Sequence, residues 1–341
     1  MFGPSLEGQG GMAEVARQIL ASSAHGADIR YFSTVGGGNR LRKLAHAART
    51  EARFLRELRS PPDLVHLHIG ANHLSFVRKQ GFAQQARALG IPVVLHLHSS
   101  LHHQIRFQTP GISSVAVAMM NNATARIAVS EQTRRDLEPW ISCEVLYNPV
   151  DPAAFSVPDF DPHLPPTLLF LGHLIEAKGV FDLVSVMPSL LRDHPDLRLI
   201  LGGVGESERL KRQIYDLGIG HAVELPGWLD GPAKLQWIAQ AWAVVLPSRF
   251  EGMPICLIEA AAAGRASIAS RLHGIPEAVI DGVTGRLHSA RSTQELEQAI
   301  RELLRPGQAQ QWGDAARAHA KKTFDRDRCA AQLGQIWRRC L

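Results

Sequence analysis

The sequence predicts an α/β protein whose two domains each contain a doubly wound parallel sheet. The chain has 341 residues, which is more than one hydrophobic core usually serves. Short apolar segments alternate with amphipathic helices in both halves of the chain, and a proline-rich segment separates the halves. A hydrophobic content of 45% and a charged content of 20% are typical of globular proteins.

The first domain is predicted to span residues 1–150. Its candidate strands are 29–32, 64–67, 93–97, 125–129 and 144–146, and its clearest helices are 11–21 and 82–89. Only Met1 and Phe2 precede the turn at Gly3 and Pro4. We therefore expect either a very short first strand or a trimmed start. The start also lacks the charged and apolar regions of a signal peptide, which predicts a cytoplasmic protein.

A proline-rich linker is predicted at residues 151–166, because proline interrupts both helices and strand ladders. The second domain then spans residues 167–325. Its candidate strands are 167–171, 197–201, 223–225, 243–246 and 266–269. Residues 326–341 form a last helix that follows the second sheet and can cross back to the first domain.

Basic residues are concentrated in the first domain. Residues 1–150 contain 16 Lys and Arg against 10 Asp and Glu, a net charge of +6. From Arg40 to Arg59 arginines surround apolar residues at helical spacing, namely Leu41, Leu44, Ala48, Leu55 and Leu58. Such a helix either lies on an anionic membrane surface or packs its apolar stripe in the core, and both interpretations stay open. No nucleic-acid-binding motif accompanies it, so no nucleic-acid partner is predicted.

The most informative segment is 247–264, which reads Pro-Ser-Arg-Phe-Glu-Gly-Met-Pro-Ile-Cys-Leu-Ile-Glu-Ala-Ala-Ala-Ala-Gly. A strand leads into a turn at Gly252 and Met253, and a short helix follows. Pro254 is predicted in the first turn of that helix, where its missing N–H has no helical partner to lose. The first-turn N–H groups near Ile255 and Cys256 are unpaired within a helix, so they can bind a phosphate.

Two carboxylates bracket this turn. Glu251 precedes the helix, and Glu259 lies about a turn and a half inside it. A carboxylate accepts hydrogen bonds from two neighbouring hydroxyls, which suits a ribose diol. The segment therefore predicts a nucleotide site, with an ordinary buried helix carrying two incidental glutamates as the alternative.

This segment resembles the Glu-x7-Glu signature of the family-4 retaining glycosyltransferases of the GT-B fold. Glu-Gly-x-Pro stands at 251–254 and Glu-Ala at 259–260. The resemblance implies two Rossmann-like domains facing a cleft, with Glu259 on the ribose and Glu251 near the donor sugar. It also implies no metal or other cofactor, because cations and a helix dipole hold the diphosphate of a UDP- or GDP-linked sugar.

The resemblance assigns donor-binding roles to six residues of segment 247–264, namely Gly252, Met253, Pro254, Ile255, Cys256 and Glu259. It also assigns donor-binding residues in two glycine-containing loops. Segment 172–179 reads Gly-His-Leu-Ile-Glu-Ala-Lys-Gly, in which Gly172 lets the donor approach the backbone and Lys178 binds the diphosphate. His173 stands where the family usually has arginine. In the first domain, Gly10 and Gly11 match a loop that faces the donor at the start of a helix.

Two His-Leu-His motifs, at 66–68 and 96–98, end buried strands. We expect the two histidines of each motif to point to opposite faces or ends of the strand, which suits hydrogen bonding better than a shared metal. No metal site is therefore predicted, although His102 and His103 would add ligands. The family carries a histidine at the position of His98, directed toward the donor sugar or the acceptor. The resemblance thus implies catalytic roles for His98, Lys178 and Glu251.

Together these features predict a retaining glycosyltransferase of the hexosyl type. It would move a sugar from a nucleotide-diphosphate sugar to a lipid-linked or saccharide acceptor in polysaccharide or glycolipid assembly, as a peripheral protein on the inner face of the cytoplasmic membrane. Two alternatives stay open. One is a GT-B-fold sugar-nucleotide epimerase or phosphorylase. The other is a catalytically impaired homologue acting as an assembly partner, which His173 and the short first strand suggest.

Overall fold

Two parallel sheets of six strands organise the protein, and they confirm the predicted α/β class. The computed structural model describes residues 1–8, 10–34, 40–70, 73–99, 117–139 and 141–341. These residues divide into two units, one formed by Met1–Pro149 with Arg326–Leu341 and the other by Val150–Asp325. Among the helices of the described residues, none has the length and apolar character needed to cross a bilayer.

The first unit has the strand order β2-β1-β3-β4-β5-β6. In chain order its elements are β1 Phe2–Gly3, α1 Gly11–Ala21, β2 Phe32–Ser33, α2 Arg40–Glu57, β3 Val65–Ile69, α3 His73–Ala88, β4 Val93–Leu97, β5 Ala125–Ala128, α4 Glu131–Leu137 and β6 Glu144–Val145. The last helix of the chain, Arg326–Cys340, also belongs to this unit.

Strand β2 begins at Phe32, not at residue 29 as predicted. Its partner β1 offers only two positions, Phe2 opposite Phe32 and Gly3 opposite Ser33. Residues before Phe32 therefore have no strand beside them. Stacking adds to this pairing, since the ring centroids of Phe2 and Phe32 lie 4.8 Å apart.

Helix α2 turns a different face to the core than its apolar spacing predicted. Phe54 is 1% exposed and lies in the hydrophobic core, with Leu58 packed against the same cluster. Ala48 and Leu55 belong to the predicted stripe but are exposed. The spacing of apolar residues shows that a helix has an apolar stripe, but it does not show which of two possible stripes packs on the sheet. In α2 the large ring of Phe54 is buried, so its side of the helix packs on the sheet. The side chains of two further members lie outside the described part of the chain: Leu41 and Leu44.

The second unit has the order β12-β11-β10-β7-β8-β9. Its strands are β7 Thr167–Leu171, β8 Arg198–Gly202, β9 Val223–Gly227, β10 Ala243–Leu246, β11 Ala266–Ser270 and β12 Gly285–His288. Its helices are α5 Val180–Asp193, α6 Ser207–Asp216, α7 Gly231–Gln240, α8 Ile255–Ala262, α9 Ile275–Ala278, α10 Thr293–Leu303 and α11 Gln308–Thr323, so the helix Arg326–Cys340 is α12. The chain leaves β7 on one side toward β8 and returns on the other side through β10, which places a topological switch point between β7 and β10.

The segment predicted as a linker packs on the second unit. Phe155 is buried, and the ring of Phe160 lies 5.2 Å from that of Trp242. The carbonyl of Pro158 accepts a 2.8 Å hydrogen bond from the buried guanidinium of Arg265. These contacts make the segment a covering of the second unit rather than a free tether.

Candidate functional site

The predicted donor-binding residues of the second unit gather at the carboxyl ends of β7 and β10. These two strands are neighbours at the switch point, where doubly wound sheets bind their ligands. The loops that follow them are held together. The N–H of Arg249 donates to the carbonyl of Ala177, and its side chain pairs with Glu176 at 2.5 Å. A Cβ on Gly179, whose φ is 70°, would overlap the carbonyl oxygen of Pro247.

Helix α8 presents an open N-terminus at this place. Pro254 is its N-cap, with φ −72° and ψ 122°, so the helix starts one residue later than predicted because that ψ is extended. The N–H of Leu257 returns to the carbonyl of Pro254 at 3.3 Å. Within residues 141–341, no protein acceptor takes the N–H of Ile255 or Cys256. Both residues are half-buried, so these two donors can reach a ligand.

Glu251 and Lys178, 73 positions apart in the chain, form an ion pair. Lys178 Nζ lies 2.5 Å from Glu251 Oε1, and Ser248 Oγ donates to the same oxygen at 2.7 Å. Lys178 ends a short 3-10 turn after β7, and the carboxylate precedes α8. The glutamate side chain is almost fully buried and the lysine about one quarter exposed. The sequence predicted both residues at the donor, and the structure adds that each is the other's partner.

Glu259 has a partner that the sequence analysis missed. Lys234 Nζ, from α7, lies 2.5 Å from Glu259 Oε1. Glu259 is 2% exposed, and the lysine side chain is mostly buried as well. The sequence did contain a hint of this role, because Lys234 is the one charged residue in α7, which reads Gly-Pro-Ala-Lys-Leu-Gln-Trp-Ile-Ala-Gln. The contact itself depends on the fold.

The thiol of Cys256 lies in the electrostatic field of both pairs. Desolvation, and then the carboxylates of Glu251 and Glu259, raise the pKa of the Cys256 thiol to about 12. The sulfur therefore stays protonated at neutral pH and is a poor nucleophile. Of this residue only the backbone N–H is suited to binding an anion.

The other predicted donor-binding residues line the same edge of the sheet. Gly172 follows β7 with φ 158°, and the carbonyl of Gly252 accepts from Gly274 at 3.0 Å. Met253 is buried. His173 is exposed, and its ring lies 5.5 Å from that of Trp228, an aromatic neighbour that the sequence analysis did not single out.

In the first unit, the predicted residues lie at the ends of β1 and β4. Gly10 is the N-cap of α1 with φ 128°, and Gly11 is the first residue of that helix. The residue between Gly8 and Gly10 lies outside the described chain. His98 follows β4, and its Nε2 is 2.7 Å from His68 Nδ1.

The expectation that the histidines of each motif point apart is wrong. Side chains at i and i+2 of a strand share a face, so His66 and His68 lie on one face of β3. The rings of His96 and His98 join them, with centroids 4.2 to 5.4 Å from their neighbours in the group. Burial lowers the pKa of all four imidazoles. Repulsion from the neighbouring imidazoles lowers the pKa further for three of them: His66, His68 and His98.

Hydrogen bonds account for part of this cluster, since both nitrogens of His96 and Nε2 of His66 lack partners in the described residues. One ring nitrogen each of His66, His68 and His96 lies within 4.8 Å of the others. Trp337 Nε1, however, donates to His66 Nδ1 at 3.0 Å, which leaves the hydrogen of a neutral His66 on Nε2. Both nitrogens of His68 are also in contacts. Two further residues of the sequence analysis lie outside the described residues: His102 and His103.

Two family descriptions match the chain and together cover most of it. "Glycosyltransferase Family 4" matches residues 9–154, and "Glycosyl transferases group 1" matches residues 160–319. Among curated relatives, glycogen synthase of Mycobacterium tuberculosis is 34% identical over 196 residues, which are 57% of this chain and 47% of that protein. The chain thus spans about half the length of that relative.

Other relatives match over more of their length. Phosphatidyl-myo-inositol mannosyltransferase of Mycolicibacterium smegmatis is 29% identical over 284 residues, or 81% of this chain and 70% of that protein. Among solved structures, Anabaena HepE in complex with UDP-glucose has a TM-score of 0.78 at 20% identity, covering 100% of this chain and 98% of that chain. Sucrose-phosphate synthase from Thermosynechococcus elongatus has a TM-score of 0.73 at 22% identity, covering 91% and 83%.

Proposed function

Since the chain belongs to the group 1 glycosyl transferases of the GT-B fold, we propose that it transfers a hexosyl group from a nucleoside-diphosphate sugar to an acceptor hydroxyl with retention of configuration. One observation carries the proposal. Two carboxylate–ammonium pairs, Lys178 with Glu251 and Lys234 with Glu259, flank the open N-terminus of α8. A diphosphate and a ribose need this combination of cation, free N–H groups and carboxylate.

The leaving group is a nucleoside diphosphate, so the site's main work is to stabilise departing negative charge. The N–H groups of Ile255 and Cys256 lie at the positive end of the α8 dipole. Lys178 supplies a full charge beside them. An ammonium group has three donors, so Lys178 can keep its bond to Glu251 and still bind a phosphate oxygen. These groups provide the charge compensation that a metal ion supplies in other transferases.

Glu259 is the proposed ligand of the ribose. Its Oε1 binds Lys234, and a carboxylate offers about four acceptor positions, which leaves capacity for hydroxyl donors. Lys234 pairs with the carboxylate and fixes its orientation. This agrees with the resemblance and adds a residue to it.

Retention of configuration needs no protein nucleophile in this proposal. The departing phosphate takes the proton of the acceptor hydroxyl as the new glycosidic bond forms on the same face of the sugar. Glu251, held by Lys178 and Ser248, lies near the donor sugar and stabilises positive charge there. Cys256 takes no covalent part because its thiol stays protonated.

A thermal-shift screen of UDP- and GDP-sugars tests the donor site. We expect a donor at about 100 times its Kd to stabilise the wild type by about 2.7 kcal/mol. The same donor should give much less stabilisation in Glu259→Ala, because the ribose loses its acceptor. Glu208→Ala is the control, since Glu208 is an exposed residue paired with Lys211 at 2.8 Å in the same unit. Equal stabilisation of Glu259→Ala, or no stabilisation of the wild type by any donor, would contradict the proposed site.

The acceptor we propose is lipid-linked and reached at an anionic membrane surface through α2, on the inner face of the cytoplasmic membrane. Leu55 is 51% exposed, although it is a large apolar residue. Arg42, Arg49 and Arg56 are exposed on the same helix. An apolar residue beside several cations on a solvent-facing stripe is typical of helices that bind anionic lipid surfaces.

Vesicle sedimentation tests this surface. Replacing Arg42, Arg49 and Arg56 with glutamine should weaken binding to phosphatidylserine vesicles on the order of 100-fold at low salt, since each cation near the surface contributes about 1 kcal/mol. A control variant removes the same charge from exposed positions of the second unit: Lys211, Arg212 and Arg305. The control should bind like the wild type. Equal losses in both variants, or no binding by the wild type, would exclude α2 as the membrane surface.

A further inference from the structure

Two neighbouring histidines, His68 and His98, share a hydrogen bond that the mechanism above does not use. His68 Nδ1 lies 2.7 Å from His98 Nε2. The ring of His68 is fully buried, whereas His98 is half-buried at the end of β4. The second nitrogen of His68, Nε2, lies 3.2 Å from the sulfur of Met1.

These contacts determine where the hydrogens lie. A thioether sulfur has no hydrogen to donate, so the contact with Met1 requires the hydrogen of His68 on Nε2. A neutral imidazole carries one hydrogen, so His68 Nδ1 is an acceptor. His98 must then donate from Nε2, and its Nδ1 has an unprotonated lone pair. No residue of the described chain makes a hydrogen bond to His98 Nδ1.

The surroundings keep both rings neutral. Burial lowers the pKa of His68 and of His98 well below the usual range, and the nearby imidazoles and Lys79 lower both further. Lys79 donates to the backbone carbonyl of His68. All charged groups that act on His68 and His98 in the described residues thus oppose protonation.

We propose that His68 is a positioning residue that holds His98 in the Nε2–H tautomer, so that Nδ1 of His98 accepts a hydrogen bond from a substrate hydroxyl. The assignment of the tautomer stands on the contacts alone. The hydroxyl partner, on the donor sugar or on the acceptor, rests on the proposed transferase function. His98 in this state is an acceptor and a weak base, and it cannot act as a cationic acid.

The tautomer can be measured without substrate. In protein labelled with ¹⁵N-histidine, long-range ¹H–¹⁵N correlation spectra at neutral pH distinguish a protonated ring nitrogen from an unprotonated one, and the loss of signals in His98→Asn assigns them. We expect a protonated Nε2 and an unprotonated Nδ1 for His98. The opposite tautomer in the wild type would overturn the proposal.

Variants of His68 test its role. His68→Asn keeps an acceptor near the position of Nδ1 and should keep the tautomer. His68→Leu removes the acceptor and should give a mixture of tautomers, with kcat/KM for sugar transfer lowered about tenfold, as expected for one misoriented hydrogen bond. The matched control is His96→Leu, since His96 belongs to the same cluster but both of its nitrogens lack partners in the described residues. It should leave the spectrum of His98 unchanged.

Three outcomes would contradict the positioning role. They are an unchanged His98 tautomer in His68→Leu, a changed one in His96→Leu, and stoichiometric shifts of the His66, His68 and His96 signals on addition of one equivalent of Zn²⁺, which would reveal a metal site. If His68→Leu does not fold, the wild-type and His68→Asn spectra still decide the tautomer. A confirmed tautomer with no transferase activity would leave the positioning intact and refute only the proposed function.

Discussion

Replacing Lys178 with methionine is expected to lower kcat/KM for sugar transfer on the order of 100- to 1000-fold, the usual effect of removing one group that stabilises transition-state charge. Methionine keeps the length of the side chain without its charge. The remaining N–H groups at the α8 N-terminus would then face the departing diphosphate without a full positive charge beside them. Of its two hydrogen bonds within the described residues, Glu251 would keep the one from Ser248, so its carboxylate would also be less well positioned.

The variant must be compared with a lysine that has a similar ion pair but no role in the site. Lys211 pairs with Glu208 at 2.8 Å on the exposed surface of α6, so Lys211→Met should retain full activity. Calorimetry can separate the contribution of the diphosphate to ligand binding from the contribution of the nucleoside. Lys178→Met should bind the nucleoside diphosphate more weakly than the wild type does, with little change for the nucleoside alone. An equal loss for both ligands, or unchanged turnover, would remove Lys178 from the diphosphate site.

The sequence predicted those parts of the fold that depend on local patterns. The strand predicted at 93–97 agrees with β4 Val93–Leu97, and the one at 243–246 agrees with β10 Ala243–Leu246, because continuous apolar runs are typical of strands buried on both faces. Strand β12, Gly285–His288, was missed. Its four residues include Arg286 and His288, and only its pairing with β11 makes it a strand. Helix α3 begins at His73 and not at residue 82, since its apolar residues follow no clear helical spacing.

The same distinction holds for the site. Glu251, Ile255 and Cys256 lie on one continuous segment, so their spacing alone indicated an anion-binding turn with a carboxylate beside it. The pairs that hold the carboxylates join positions 73 and 25 apart in the chain, and no local pattern contains them. The error about the histidines was of another kind. The period of two in a strand was available from the sequence and would have placed His66 with His68 on one face.

Replacing Arg265 with methionine is expected to lower the free energy of unfolding of the second unit by about 1 to 3 kcal/mol. Arg265 is 1% exposed and lies between α8 and β11. Its guanidinium donates to the carbonyl of Ile238 at 3.1 Å and to those of Pro158 and Ala239 at 2.8 Å. Ile238 and Ala239 lie in the last turn of α7, where carbonyls lack the usual helical partners. The carbonyl of Ile238 also accepts from the N–H of Ala241 at 3.2 Å.

Methionine would leave the carbonyl of the half-buried Ala239 without this donor, and an unsatisfied buried group costs more than the hydrogen bond contributes. Lysine would restore the charge but not the planar fork that reaches several carbonyls at once, so Arg265→Lys should recover only part of the loss. Hydrogen exchange during urea titration can follow the two units separately, and the loss should appear at residues 150–325 alone. Arg198→Met removes an exposed ion pair with Glu224 and should cost less than 1 kcal/mol. If Arg265→Met cost no more than this control, the buried guanidinium would not be what joins segment 150–166 and the end of α7 to the sheet.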